Sequence, residues 1–119
     1  MMLMKPAGLL LMLTFGTLLS AQEVYTVRRG VTAPIPTTKV RAEYTREARD
    51  VGIEGRVVLE AVIQTDGTPA DINVVRSLDR VHGLDQQAID ALSQWRFKPG
   101  TKDGNPVAVR LQFTFGFAL

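Results

Sequence analysis

The sequence predicts an α+β domain: a small antiparallel/mixed three-stranded sheet in the order β-β-α-β, with one packed helix and a short N-terminal helix. Three observations lead there. Between Leu84 and Pro99, Ala88, Leu92 and Trp95 recur at helical spacing, and Ile89 and Ala91 widen the same apolar stripe. Arg56–Gln64 and Val107–Phe117 instead alternate with period two, as half-buried strands do. Thr65-Asp66-Gly67-Thr68 is a hairpin turn in which glycine supplies a positive φ.

Composition removes several function classes. A chain of 119 residues makes one domain the prior, and roughly a hundred residues bury a core without disulfide or metal. The absence of cysteine excludes disulfide frameworks, thiolate zinc sites and cysteine nucleophiles. A net charge of +2, with Lys and Arg spread among acids, describes a solvated surface and not a nucleic-acid stripe.

Residues 1–21 read as a signal peptide or, if retained, a short membrane anchor. Lys5 is the positive flank, Ala7–Leu19 the apolar run and Ser20-Ala21 the small-residue exit. As a helix, Pro6–Ala21 spans about 24 Å at ~1.5 Å per residue, short of a ~30 Å hydrocarbon core. Export to the periplasm is expected either way. Residues 22–40, with Gly30, Pro34 and Pro36, read as a tether holding a short strand at Val24–Arg28. Fully extended it reaches about 60 Å at ~3.3 Å per residue.

The domain itself is expected over residues 41–119. Tyr44–Val51 is a short helix candidate with Tyr44, Ala48 and Val51 on one face and Gly52 as its stop. The first strand presents Val57, Leu59, Ala61 and Ile63 together, and Ala70–Arg76 follows as the second. After the polar loop Ser77–Gly83, Asp85 is placed to cap the main helix, with Leu84 and Ile89 as a hydrophobic staple. Pro99 ends that helix near Trp95, and Trp95 with Phe97 forms an aromatic anchor onto the sheet. Thr101–Pro106 is a second turn. The final strand sets Val107, Val109, Leu111, Phe113, Phe115 and Phe117 on one face.

One crossover helix makes the second and third strands parallel, with the first between them and antiparallel to both. The last strand then lies at an edge, one row of its amides and carbonyls unpaired.

Nothing in the sequence assembles a catalytic, cofactor-binding or metal site, so no enzyme and no cofactor is expected. His82 is the single histidine and sits in a loop without cysteine partners. Ser77 and Ser93 lack a nucleophile setting, and Asp66, Asp79, Asp85 and Asp103 each have a turn or cap role.

From about Val40 to Phe117 the chain resembles the C-terminal domain of TonB-type energy transducers. The resemblance is carried by Glu43-Tyr44, Ala48-Arg49, Gly52-Ile53-Glu54-Gly55-Arg56-Val57-Val58-Leu59 and Asp66-Gly67. It continues through Val74-Val75-Arg76-Ser77, Gly83-Leu84-Asp85, Trp95-Arg96-Phe97-Lys98-Pro99 and Lys102-Asp103-Gly104-Asn105-Pro106-Val107. The combination is specific although no single piece is. Ala42 stands where the family usually has proline.

The resemblance implies a domain that binds a short N-terminal segment of outer-membrane transporters and passes on force from a proton-driven inner-membrane motor. The segment pairs with the edge strand, which matches Val107–Phe117. Val109, Arg110, Leu111, Gln112, Phe113 and Thr114 are then the candidate partner-binding residues, backbone pairing giving affinity and alternate side chains selectivity. The alternative is a free periplasmic adaptor, or a self-associating module whose edge strands pair as a homodimer.

Overall fold

The computed structural model describes residues 22–119; the leader expected over residues 1–21 lies outside the described residues. The centre of the fold is a pair of long strands, β3 (Gly55–Ile63) and β7 (Asn105–Phe117). They pair antiparallel without a slip from Gly55 opposite Phe117 to Ile63 opposite Val109. The hairpin partner β4 (Pro69–Arg76) flanks β3 on its other side, so β3 lies between and antiparallel to both. That is the order the single crossover dictates.

The period-two reading of β3 holds: Val57, Leu59, Ala61 and Ile63 are all fully buried. They meet α2 (Leu84–Ser93) through Leu84, Ala88, Ala91 and Leu92, and the short helix α1 (Arg46–Asp50) through Ala48. Thr45 caps α1, its hydroxyl accepting from the Ala48 amide and donating to the His82 carbonyl, which ties α1 to the loop before α2. Val51, expected on the buried face, follows the helix and is 59% exposed. The chain leaves its helical path there, and Gly52 turns it with φ 73°.

Asp85 does not cap α2. The cap position is Gly83 at φ 90°, and Leu84 is already helical, so the expected staple with Ile89 has no residue in the preceding position. The Asp85 carboxylate points back, accepting from the Ser77 hydroxyl and the Leu78 and Asp79 amides. Asp79 answers it: its carboxylate accepts from the Val81, His82 and Leu84 amides. Two carboxylates thus consume the orphan donors of one loop and fix where α2 starts.

Four more strands lie in the sheet or beside it, of which only β1 was expected as a strand, and that without a partner. β5 (Arg96–Lys98) pairs with β2 (Ile35–Thr38), and β6 (Gly100–Lys102) folds onto β7 through the Asp103-Gly104 turn. β1 (Val24–Thr26) runs parallel to β7 opposite Ala108–Arg110. Residues 22–40, read from sequence as a tether, therefore lie along the domain through β1 and β2. The α+β class stands, with the sheet widened from three strands to five. Gly67 is demanded by this packing: a Cβ there meets the Phe97 carbonyl oxygen at 2.1 Å, and Phe97 N–H donates to the Gly67 carbonyl.

Truncating Leu59 to Ala should cost about 2–5 kcal/mol in denaturant unfolding, since a fully buried side chain leaves a cavity. Val51→Ala should stay within about 0.5 kcal/mol.

Acid sensitivity follows from the loop. Burial pushes the Asp79 and Asp85 carboxyls up, but the amide and hydroxyl donors outweigh it and hold both below the usual carboxylate range. A carboxyl with a depressed folded pKa stabilises fully above its unfolded value of about 3.9, and that stability is lost as pH falls through the folded value. Unfolding free energy should be level between about pH 7 and 5 and fall below about pH 4. Asp85→Asn should lower stability at neutral pH and flatten the acid limb.

Candidate partner-binding edge

The side of β7 away from β3 is the functional candidate, and the β3–β4 hairpin fixes its phase. The Gln64 amide donates to the Thr68 carbonyl, and Pro69, opposite Ile63, has no N–H, so Gln64 turns its backbone groups toward β4 and Ile63 turns its own toward β7. Backbone groups alternate sides along a strand, and β3 and β7 pair without a slip, so Val109, Leu111, Phe113, Phe115 and Phe117 bond to β3. Ala108, Arg110, Gln112, Thr114 and Gly116 therefore turn their amides and carbonyls outward.

The expectation that this side is free along its whole length is corrected by the structure. β1 takes Ala108–Arg110, because the chain before the domain folds back onto β7, while β6 pairs with Asn105–Val107 on the edge that β3 leaves past Ile63. Among the described residues no strand pairs with the outer side of Leu111–Phe117.

The six residues singled out from sequence separate accordingly. Val109 is fully buried and its backbone bonds to β3; Arg110 turns its backbone to β1 and its side chain reaches Glu60 at 3.5 Å on the solvent face. Leu111 and Phe113 are half-buried, and their backbone groups are spent on β3. Gln112 and Thr114 expose their side chains and turn their backbone groups outward, where no other strand of the described residues pairs with them. Side-chain exposure and backbone availability thus fall on the same residues.

Trp95 and the chain just before α1 bound the open stretch. The Trp95 indole N–H donates to the Val40 carbonyl at 2.8 Å, and its ring meets Phe113 and Phe115 edge-on at 5.9 and 5.6 Å. A cavity of about 350 Å³ lies between Lys39–Ala42 on one side and Trp95 and Thr114–Gly116 on the other. The Lys39 ammonium stands 5.5 Å over the Trp95 ring, and Arg41 shares this rim. The surface offers unpaired backbone groups, an aromatic floor and a basic rim. Sequence reasoning missed Val40 and Lys39, whose roles come only from tertiary contact with Trp95. The β-branched and aromatic run Val24-Tyr25-Thr26 was visible as a strand but not as a partner of β7.

β4 is the other outer strand, and it is poorly shaped for pairing. Its register with β3 shifts twice, between Val58 and Leu59 and between Glu60 and Val62, and Asp71 sits at φ 49°. Irregularities of that kind blunt an edge. β7 is regular against β3 over its whole open length.

No group of three or more His, Cys, Asp or Glu able to hold a metal occurs among the described residues. The His82 ring Nδ1 stands 3.2 Å from the Asp79 carboxylate. No helix of the described residues is long and apolar enough to cross a membrane.

Residues 40–119 match the family described as Gram-negative bacterial TonB protein C-terminal. The chain is similar to Protein TonB of Vibrio cholerae serotype O1, 37% identical over 81 residues, covering 68% of this chain and 33% of that protein. It is also similar to Protein TonB of Pseudomonas aeruginosa, 36% identical over 76 residues, 64% of this chain and 22% of that one. The chain thus spans a third or less of the length of these relatives. The solution NMR structure of the Pseudomonas aeruginosa TonB CTD superposes with a TM-score of 0.61 at 29% identity, covering 79% of this chain and 92% of that one.

Leu111→Pro should cost about 1–3 kcal/mol, because it orphans the buried Ala61 acceptor on β3. Gln112→Pro removes an amide that meets no strand of the described residues, so hydrogen exchange along β3 should stay close to that of the parent.

Proposed function

This chain belongs to the family of Gram-negative bacterial TonB C-terminal domains, and on that premise we propose that it works in the periplasm as a partner-binding module. Its ligand is an extended N-terminal segment of an outer-membrane transporter, which adds to the open side of β7 as a further strand. Through that contact the chain contributes to energy-coupled transport, with force supplied by a proton-driven inner-membrane complex. Residues 1–21 act as the export signal or as the anchor.

The observation that carries this reading is the regular, unpaired outer side of Leu111–Phe117 beside the aromatic floor of Trp95. Backbone pairing supplies affinity that is nearly indifferent to sequence, while the flanking pockets select side chains. Lys39 and Arg41 on the rim favour a segment carrying an acidic residue near its end. The non-enzymatic reading fits as well, since the groups on this surface are backbone amides, aromatic rings and solvated cations.

An isotope-labelled chain titrated with synthetic peptides of transporter N-termini should show amide shifts concentrated at Gln112, Thr114 and Gly116. Gln112→Pro should remove binding while the fold persists, and Gln112→Ala should change affinity by less than about threefold, as expected for a rim side chain. Shifts confined to β4 or α2 would place the partner elsewhere, and shifts that appear on concentrating the chain alone would favour self-pairing.

A further inference from the structure

We propose that Val24–Thr26 is a built-in occupant of this edge, a strand that an incoming segment has to displace before it can use β7 beyond Leu111. The proposal rests on the reading of the β7 edge as the docking surface.

β1 already does what the partner strand is proposed to do. It lies in the plane of the sheet, parallel to β7, with Val24 opposite Ala108, Tyr25 opposite Val109 and Thr26 opposite Arg110. Ala108 and Arg110 are the outward-facing residues of that trio, so both bond to Tyr25: the Tyr25 N–H donates to the Ala108 carbonyl, and the Arg110 N–H donates to the Tyr25 carbonyl. These groups continue the row offered by Gln112 and Thr114. Self-pairing and partner pairing therefore draw on one set of donors and acceptors.

The hold is short and lies at the surface. β1 has three residues; Val24 and Tyr25 are half-buried and Thr26 is exposed. Its one specific side-chain anchor is Tyr25, whose ring receives the Lys102 ammonium at 4.9 Å and the Arg28 guanidinium at 5.9 Å. The segment just after it is fixed much more firmly. Val31 is buried and donates to the Arg28 carbonyl, Thr32 N–H donates to the Thr101 carbonyl, and Thr101 N–H donates to the Thr32 hydroxyl. Gly30, at φ 85° with open space around it, lies between the two. A released β1 thus swings about residues 28–30 and stays tethered beside the edge.

A tethered competitor lowers apparent affinity by the fraction of time the edge is open. The family match starts at residue 40, so β1 lies outside the matched module and regulates it from the flanking chain. A strand ending at Leu111 meets no competitor; one that reaches Val109 does. The device therefore favours partners whose pairing is long enough to evict β1.

The test uses the full chain and the Tyr25→Pro variant, which removes both cation contacts and the donor to the Ala108 carbonyl. The first readout is hydrogen exchange. The Arg110 amide should exchange faster in the variant while Leu111, bonded to β3, stays protected and reports an intact fold. The second readout is a labelled peptide of residues 22–28, Gln-Glu-Val-Tyr-Thr-Val-Arg. If β1 is seated about nine-tenths of the time, the variant binds this peptide about tenfold more tightly, with shifts at Arg110 and Gln112. Unchanged exchange at Arg110, equal affinity of the two proteins, or no binding to the variant would each overturn the proposal. Transporter-derived peptides that bind both proteins equally at Gln112–Gly116 would overturn it too while leaving the docking edge standing.

Discussion

Everything in this domain depends on the alternation of β7 against β3. A strand residue has a side chain on one face and its backbone groups on one edge, and both reverse at the next residue. The phase set by the β3–β4 hairpin spends the backbone groups of the core-facing residues of β7 on β3 and leaves those of Gln112 and Thr114 outward. Phe113 and Phe115 are packed into the aromatic cluster by their side chains. The core that stabilises the domain thus holds the open edge rigid. The proposed pairing then needs little ordering of the domain, leaving the entropy cost to the incoming segment.

That coupling explains why the fold was legible in the sequence and the site less so. Periods of 3.6 and 2 located α2, β3, β4 and β7 within a residue or two, because each buries a long apolar stripe that has no other place to go. The elements of three or four residues, β1, β2, β5 and β6, carry no period. Their pairing follows from where β7 and Trp95 leave open backbone groups, a tertiary fact. Asp85 shows the same limit on a smaller scale. As a residue type it suits a helix cap, yet the loop from Ser77 to Asp79 presented a denser set of unsatisfied donors and took its carboxylate. A capping residue is committed to whichever orphan amides fold brings nearest, and sequence spacing alone does not rank them.

Of the six residues that sequence reasoning placed at the partner surface, the structure sorts three to the open edge and three to the core. Arg110, Gln112 and Thr114 are the visible polar positions, and their backbone groups turn outward, those of Arg110 toward β1. Val109, Leu111 and Phe113 face the core, and their backbone groups are spent on β3. The alternation of side chains is legible in the sequence, whereas the edge that each amide faces is fixed by the hairpin on the far side of β3.

The hydrogen bond from Trp95 to the Val40 carbonyl carries this logic to the boundary of the domain. Val40 is where the family match begins, and Trp95 is the residue at the exit of α2. The bond fixes the point at which the chain turns from the strands β1 and β2 into the module itself. It also sets the width of the cavity beside Phe115, since Lys39–Ala42 forms the facing wall. Upstream of that point, residues 22–38 run along the β6 and β5 side of the domain instead of away from it. Tension applied to the N-terminal end of the described chain is therefore first borne by β1 and the Thr32–Thr101 bonds, next to the edge, before it reaches Val40. A pull that peels β1 away exposes the outward backbone groups of Ala108 and Arg110 at the same moment. Load on the N-terminal chain and access to the proposed docking edge are in this way joined through one three-residue ladder.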